Sequence, residues 1–520
     1  MHIRLLFFVL CLSLFACVQQ ESRTLIFGRG GDSVGLDPAL ETDGESFMVC
    51  DNIYEPLVTF KEESTELKPA LAESWEASED GLAWTFHLRR SVVFHDGAPF
   101  DADAVVFSLG RQFMPGHPFH RVEGAYQYWN SMSMSEIVQD VRKVDDFTVQ
   151  IELKRPNAPF LSNLAMNFCA IVSPAAVRKW GDDYPRHPVG TGPFRFVEWI
   201  KDDRIVLERN PDYWGKPAWL DRLIFRSIPE NSVRLIELAQ GAIDGMDNLV
   251  PDFIPNIEAD PKLKLLSQPG MNVGYLAMNM DRTPFHLLKV RLAVNHAIDK
   301  RALVDNLYQG LAVPAVNPIP PMLWGYHDGI EGYAYDPERA RQLLAEAGYP
   351  NGFKATLWAM PVPRPYMPQP LKIAQAIQAD LKAVGIEAEI VSFEWGTYLD
   401  KVQRGQHDMA LLGWTGDNGD PDNFLYILLD KGAAEYPANN IAFYRSDRLH
   451  EILVEAQRES DMPRRTGLYR QAQEIVHQDA PWVPLVHSAQ TAAFKKSVRG
   501  FHLHPTGSKW FHNVEIVQEK

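Results

Sequence analysis

The sequence predicts a mixed α/β protein, and three observations carry that reading. Between 354 and 414, stretches of strand and helix character alternate, the pattern of a parallel sheet with right-handed crossovers. The chain has 520 residues, room for about three domains or subdomains at roughly 100–200 residues each. With 46% hydrophobic and 23% charged residues, it can bury a sizeable core and is unlike a disordered or low-complexity chain.

The elements follow in chain order. Arg4 precedes an almost wholly apolar run, 5–16, too short for a permanent span, which needs roughly 20 residues. It reads as a secretory signal. Leu14-Phe15-Ala16-Cys17 resembles a bacterial lipobox, so residues 1–17 are expected to form a signal peptide with Cys17 as the lipidated first mature residue. Thr24 to Phe27 reads as a strand running into a glycine-rich loop. Trp84, Phe86 and Leu88 alternate with polar or small residues, as a half-buried strand requires. Asp101 is placed to cap a helix, with Phe100 and Val105 as its hydrophobic staple. Asp336-Pro337-Glu338 opens another helix, whose stripe Ala340, Leu343, Leu344 and Ala347 ends at Gly348.

The region 354–414 holds the clearest pattern. It gives a strand at 354–360, a helix at 371–384 ended by Gly385, a strand at 386–393, a helical turn around Tyr398 and a strand at 409–414. Ligands of such sheets bind at loops leaving the carboxyl ends of strands. The loops 361–369 and 415–423 meet that description. Pro269-Gly270 and His487-Ser488 are candidate crossings between domains.

Several functions are excluded or weakened. Fifty-one Lys and Arg stand against 67 Asp and Glu, a net charge of −16, which disfavours nucleic acid. Gly31-Asp32-Ser33-Val34-Gly35 fits a hydrolase nucleophile pattern, but Leu36-Asp37-Pro38 is a poor start for the helix that must follow. A secreted serine hydrolase using Ser33 is the alternative from another class. Gly28-Arg29-Gly30 lacks the third glycine of a dinucleotide fingerprint. His117/His120 and His502/His504 lack metal-site spacing and read as structural or surface groups. Cys50 and Cys169 lie in apolar contexts; they read as buried free thiols, with a disulfide as the alternative.

The two strand-end loops carry the chemistry. Prolines stiffen the loop that holds Arg364, and Asp417 sits in a loop with three carboxylates and two glycines. Alternating Asp and Asn there suggest a calcium loop or an exposed acidic turn, although the terminal Glu of an EF-hand is missing. A fixed cation beside one strand and a carboxylate beside another also suit a zwitterion, such as an amino acid or peptide.

These loops, with Leu71-Ala72-Glu73-Ser74-Trp75, Thr85-Phe86-His87-Leu88, Phe94-His95-Asp96-Gly97, Gly190-Thr191-Gly192-Pro193-Phe194 and Asn210-Pro211-Asp212-Tyr213-Trp214, resemble the family 5 extracellular solute-binding proteins of bacterial ABC importers. Within that family the likeness is to periplasmic dipeptide binders. It implies a two-lobed Venus-flytrap fold, with lobe one at 18–269 plus 488–520, a subdomain inserted at about 45–185, and lobe two at 270–487. It also implies that Arg364 takes the ligand α-carboxylate and Asp417 the α-ammonium. Trp414, Thr415, Gly416 and Tyr366 would line the cleft, and Gly44, Glu45 and Ser46 would supply lobe-one contacts. The same resemblance implies a non-enzymatic monomer with no cofactor, served by an inner-membrane permease and held to the membrane by lipid alone. Haem, nickel chelates and longer peptides are alternative cargoes on that fold.

Overall fold

The computed structural model describes residues 23–121 and 125–517. The expected signal run and Cys17 lie outside them. Within the described residues, no helix is long and apolar enough to cross a membrane.

Three sequence signals become the local structures expected of them. Asp101 Oδ1 accepts from the Ala104 N–H (3.1 Å) at the start of the Ala102–Phe113 helix. Asp336 caps Pro337–Glu346 through the Arg339 N–H (2.9 Å). In the strand Ala83–Leu88, Phe86 and Leu88 are buried. Its sheet is four-stranded and antiparallel, with Ala72–Ala77, Thr148–Leu153 and Val138–Asp145.

The region 354–414 folds as Phe353–Trp358, Pro370–Ala383, Ile386–Val391, Trp395–Gln403 and Met409–Thr415. Both outer strands run parallel to Phe353–Trp358, with Phe353 opposite Ile386 and Leu357 opposite Met409. The sheet as a whole is mixed. Asn272–Met278 runs antiparallel to Met409–Thr415, with Asn272 opposite Thr415.

One long strand, Trp482–Lys495, ties the two halves of the molecule together. Its first part pairs with Asn272–Met278, and its last part pairs with Leu263–Pro269 and Gly245–Asp247. At Pro269-Gly270 and His487-Ser488, the candidate crossings, the two backbones lie against each other. The Gly270 N–H donates to the Ser488 carbonyl (3.0 Å), and the Asn272 amide both donates to that carbonyl and accepts from the Ser488 N–H (2.9 Å each). A Cβ at Gly270 would lie 2.4 Å from the Ser488 oxygen, so only glycine lets the two segments approach this closely. The first half of the molecule is anchored by the parallel pair Thr24–Arg29 and Arg222–Ser227. Cys50 and Cys169 are buried and free, as read from their apolar contexts.

Candidate functional site

A cavity of about 710 Å³ opens between the two halves. The two strand-end loops and one helix of the first half build most of its charged lining.

The loop 361–369 leaves the end of Phe353–Trp358. Arg364 and Met367 close it on each other by backbone hydrogen bonds of 3.1 and 2.8 Å. The Arg364 side chain borders the cavity and is exposed. Its guanidinium donates to the Pro363 carbonyl (3.1 Å) and lies 5.1 Å from the Trp395 ring centre, a cation–π distance. No carboxylate among the described residues pairs with it. Tyr366 is buried and also borders the cavity; its carbonyl accepts from the Tyr308 hydroxyl (3.0 Å). Burial pushes the Tyr366 phenol up to about 12.

The loop 415–423 leaves the end of Met409–Thr415 and is tightly braced. Asn423 Oδ1 accepts from Trp414 Nε1 and from the Asp417 N–H (2.9 Å each), and its Nδ2 donates to Asp417 Oδ2 (3.3 Å). From the other half of the molecule, the Tyr128 hydroxyl donates to Asp417 Oδ1 (3.2 Å). No cation pairs with Asp417 among the described residues. Withdrawal from water therefore pushes its carboxyl up to about 7, against the hydrogen bonds from Asn423 and Tyr128. Trp414, Thr415 and Asp417 border the cavity.

The other carboxylates of this loop point elsewhere. Arg465 grips Asp420 bidentately (2.6 and 2.8 Å), with both side chains buried. Asp422 accepts from Gln457 (3.1 Å). Asn418 Nδ2 donates to Asn163 Oδ1 (2.8 Å), again across the two halves. Asp420 and Asp422 share the Tyr469 hydroxyl (3.3 and 3.5 Å) on the side of Arg465, away from Asp417, which is not the converging oxygen set of a calcium loop. No group of three His, Cys, Asp or Glu among the described residues is arranged to hold a metal.

Three predicted lining residues sit off the cavity, for geometric reasons. Asp43 caps the Gly44–Ile53 helix, which presents Gly44, Phe47, Met48 and Asp51 to the cavity. The helical period turns Glu45 and Ser46 to another side. The Glu45 carbonyl accepts from Arg29 Nη1 (2.7 Å), and Ser46 Oγ accepts from the Val34 N–H (3.0 Å). Gly416 is buried against Phe424, where a Cβ would come within 2.6 Å of the ring, and its N–H donates to the Met271 carbonyl (2.7 Å). It shapes the loop from behind.

Ser33 is a structural residue of its loop. Its hydroxyl accepts from Arg29 Nη1 (2.9 Å) and donates to the Glu45 carbonyl (3.2 Å), and the next helix starts only at Gly44. A nucleophile elbow needs a helix directly after the serine. His504 is likewise structural, bonded to Thr506 and the Ser64 carbonyl.

Sequence reasoning missed Tyr128, Trp395, Asp51, Glu55 and the segment around Ser508 and Trp510, all of which border the cavity. Tyr128 meets Asp417 across 289 positions, a pairing with no local signal. The spacing of Asp43, Phe47 and Asp51 was the one available clue, since steps of four share a helical face.

Together these features define a two-lobed α/β protein with a candidate binding site in its cavity. The family model for bacterial extracellular solute-binding proteins, family 5, matches residues 66–436; the chain belongs to that family. It is 41% identical to the dipeptide-binding protein of Escherichia coli, over 95% of each chain. It is 40% identical to heme-binding protein A of Haemophilus influenzae, over 95% of this chain and 93% of that one. The ABC transporter-associated periplasmic binding protein of Helicobacter pylori, solved with the peptide STSA, superposes with a TM-score of 0.87 at 40% identity, covering 95% of this chain and 98% of that one.

Proposed function

We propose that this chain is the substrate-binding component of an ABC importer, that it captures dipeptides between its lobes, and that it delivers them to an inner-membrane permease. One observation carries the reading. A carboxylate, Asp417, and a guanidinium, Arg364, border one cavity from the ends of two neighbouring parallel strands, and neither has an ion-pair partner among the described residues.

Asp417 accepts the peptide ammonium, and Arg364 holds its terminal carboxylate through paired N–H groups. Lobe closure expels water and strengthens both contacts. Holding both termini selects length, because one added residue moves the carboxylate by roughly 3.3–3.6 Å. The division into lobes at 269/270 and 487/488 is supported by the long strand whose two ends pair with different halves. The inserted subdomain at 45–185 supplies Tyr128 to the site. Lipid anchoring at Cys17, a periplasmic location and a monomeric state complete the proposal; labelling of wild type and Cys17→Ala with a radioactive fatty acid tests the anchor.

A longer peptide is the second reading. It is favoured by the volume of the cavity, about 710 Å³, and by the STSA bound in the Helicobacter pylori relative. Haem is a further candidate cargo, on the strength of the Haemophilus influenzae relative. Thermal-shift screening with di-, tri- and tetrapeptides and haem separates these readings. A shift confined to dipeptides supports the proposal; shifts with tetrapeptides or haem but none with dipeptides overturn it.

A further inference from the structure

The cavity has a second charged wall, away from the two loops that take the peptide termini. It is a single face of the Gly44–Ile53 helix and its flanks: Asp43, Phe47, Met48, Asp51 and Glu55 all border the cavity. This face carries three carboxylates and no base.

The three acids have neutral hydrogen-bond donors. Asp51 accepts from the Lys509 backbone N–H (3.1 Å). Glu55 accepts from Thr191 (2.7 Å), Tyr213 and Trp214 (2.8 Å each). Asp43 Oδ1 accepts from the Ser46 N–H (2.9 Å), whereas its Oδ2 is shut from solvent without a hydrogen-bond partner. None of the three is in an ion pair among the described residues. The nearby bases have closer acids of their own: the Lys509 ammonium lies 2.8 Å from Asp247 while its charge also reaches Asp51, and His512, 3.4 Å from Glu62, also acts on Glu55. Burial accordingly pushes Asp51 up to about 6 and raises Glu55.

We propose that this wall selects cargo by side-chain charge, taking the ammonium or guanidinium of a Lys or Arg side chain of the bound peptide and disfavouring Asp and Glu. The inference rests on the peptide reading and adds the substrate class. Once Asp417 and Arg364 are occupied by the peptide termini, the helix face remains a wall of three carboxylates with no ion-pair partner among the described residues, offset only in part by Lys509 and His512 at longer range. A cation arriving there gains in a water-poor site, and an anion meets an excess of like charge. Phe47 and Met48, between the acids, offer apolar surface for the methylene stem of a long basic side chain.

Calorimetric titration of the full chain at pH 7.5 with Ala-Ala, Lys-Ala, Ala-Lys, Glu-Ala and Ala-Glu tests this. The better Lys peptide is expected to bind at least about tenfold more tightly than its Glu counterpart. In Asp43→Asn/Asp51→Asn, which keeps a good helix cap at position 43, that ratio is expected to fall below about threefold. Because the ratio is taken within one protein, a general loss of folded material does not mimic the effect. Equal affinities in the wild type, or a ratio unchanged in the double variant, overturn the inference while leaving peptide binding intact if Ala-Ala binds. Failure of all five peptides to bind the wild type overturns the peptide reading and this inference with it.

Discussion

The two poles of the site are built in opposite ways. Asp417 is held by three hydrogen bonds, two shared with Asn423 and one from Tyr128 of the other lobe, and the loop behind it is pinned by the buried Arg465–Asp420 pair. The Arg364 side chain is exposed; among the described residues its guanidinium is bonded only to the neighbouring Pro363 carbonyl, and it rests over Trp395. The anionic pole is braced within its own loop by Asn423, with Tyr128 added across the lobes; the cationic pole keeps side-chain freedom to follow the ligand. A pre-organised group loses less entropy on binding, so Asp417 should carry more of the affinity and Arg364 should adjust to the ligand's reach.

The widest gap between the poles should appear on truncation. Asp417→Ala strands the ligand ammonium in a closed site, where breaking a buried pair costs about 3–5 kcal/mol. Dipeptide affinity by calorimetry is expected to drop at least a hundredfold. Near-native affinity would remove Asp417 from the site.

Acid should act on one pole only. The Asp417 carboxyl titrates near 7 in the free protein, whereas a guanidinium stays charged throughout. Affinity for Ala-Ala is therefore expected to fall by about tenfold or more from pH 7.5 to pH 5.5, as the free protein takes up a proton that the ligand must displace. In Asp417→Asn the pH slope should vanish. Arg364→Ala should weaken binding by about tenfold, less than the loss at Asp417, because the side chain is more solvated. It should also relax length selection, raising tripeptide affinity relative to dipeptide. Tyr128→Phe should cost about threefold, the scale of one hydrogen bond to a carboxylate that keeps its Asn423 contacts.

A smaller effect concerns the unliganded fold. Glu41, Asp417 and Asp422 are pushed up to about 7 and Asp51 to about 6, each mainly by burial. A carboxyl raised on folding contributes stability that is full below its unfolded value, near 4, and lost as pH rises through the folded value. Below pH 6.5 this gain is opposed by His95, His407, His487 and His504, which burial pushes down to about 4, so the carboxyls are read between pH 6.5 and pH 8. The ligand-free protein should melt higher at pH 6.5 than at pH 8, and saturating dipeptide should narrow the difference by favouring ionised Asp417. A Tm that rises from pH 6.5 to pH 8 without ligand would contradict this assignment of burial.

The same contrast explains what was legible in the sequence. The loops carrying Arg364 and Asp417 could be located because strand–helix–strand periodicity fixes where strands end, and ligands gather at such ends. The close approach of Pro269-Gly270 to His487-Ser488 left one mark in the sequence: a glycine stands where the backbones nearly touch. Tyr128 and Trp395 were not legible, since their roles arise from contacts between segments with no shared pattern. Glu45 and Ser46 came only from the family resemblance, which does not say which way a side chain turns. Asp43 caps a helix there, and one turn of that helix carries both side chains away from the cavity while bringing Asp51 toward it.

The most direct test leaves the protein unaltered and removes one charge from the ligand. Calorimetry with Ala-Ala and N-acetyl-Ala-Ala at pH 7.5 asks whether the ammonium is read by a fixed anion. The acetylated peptide is predicted to bind at least a hundredfold more weakly; equal affinity for the two peptides would contradict the assignment of Asp417 as the ammonium site.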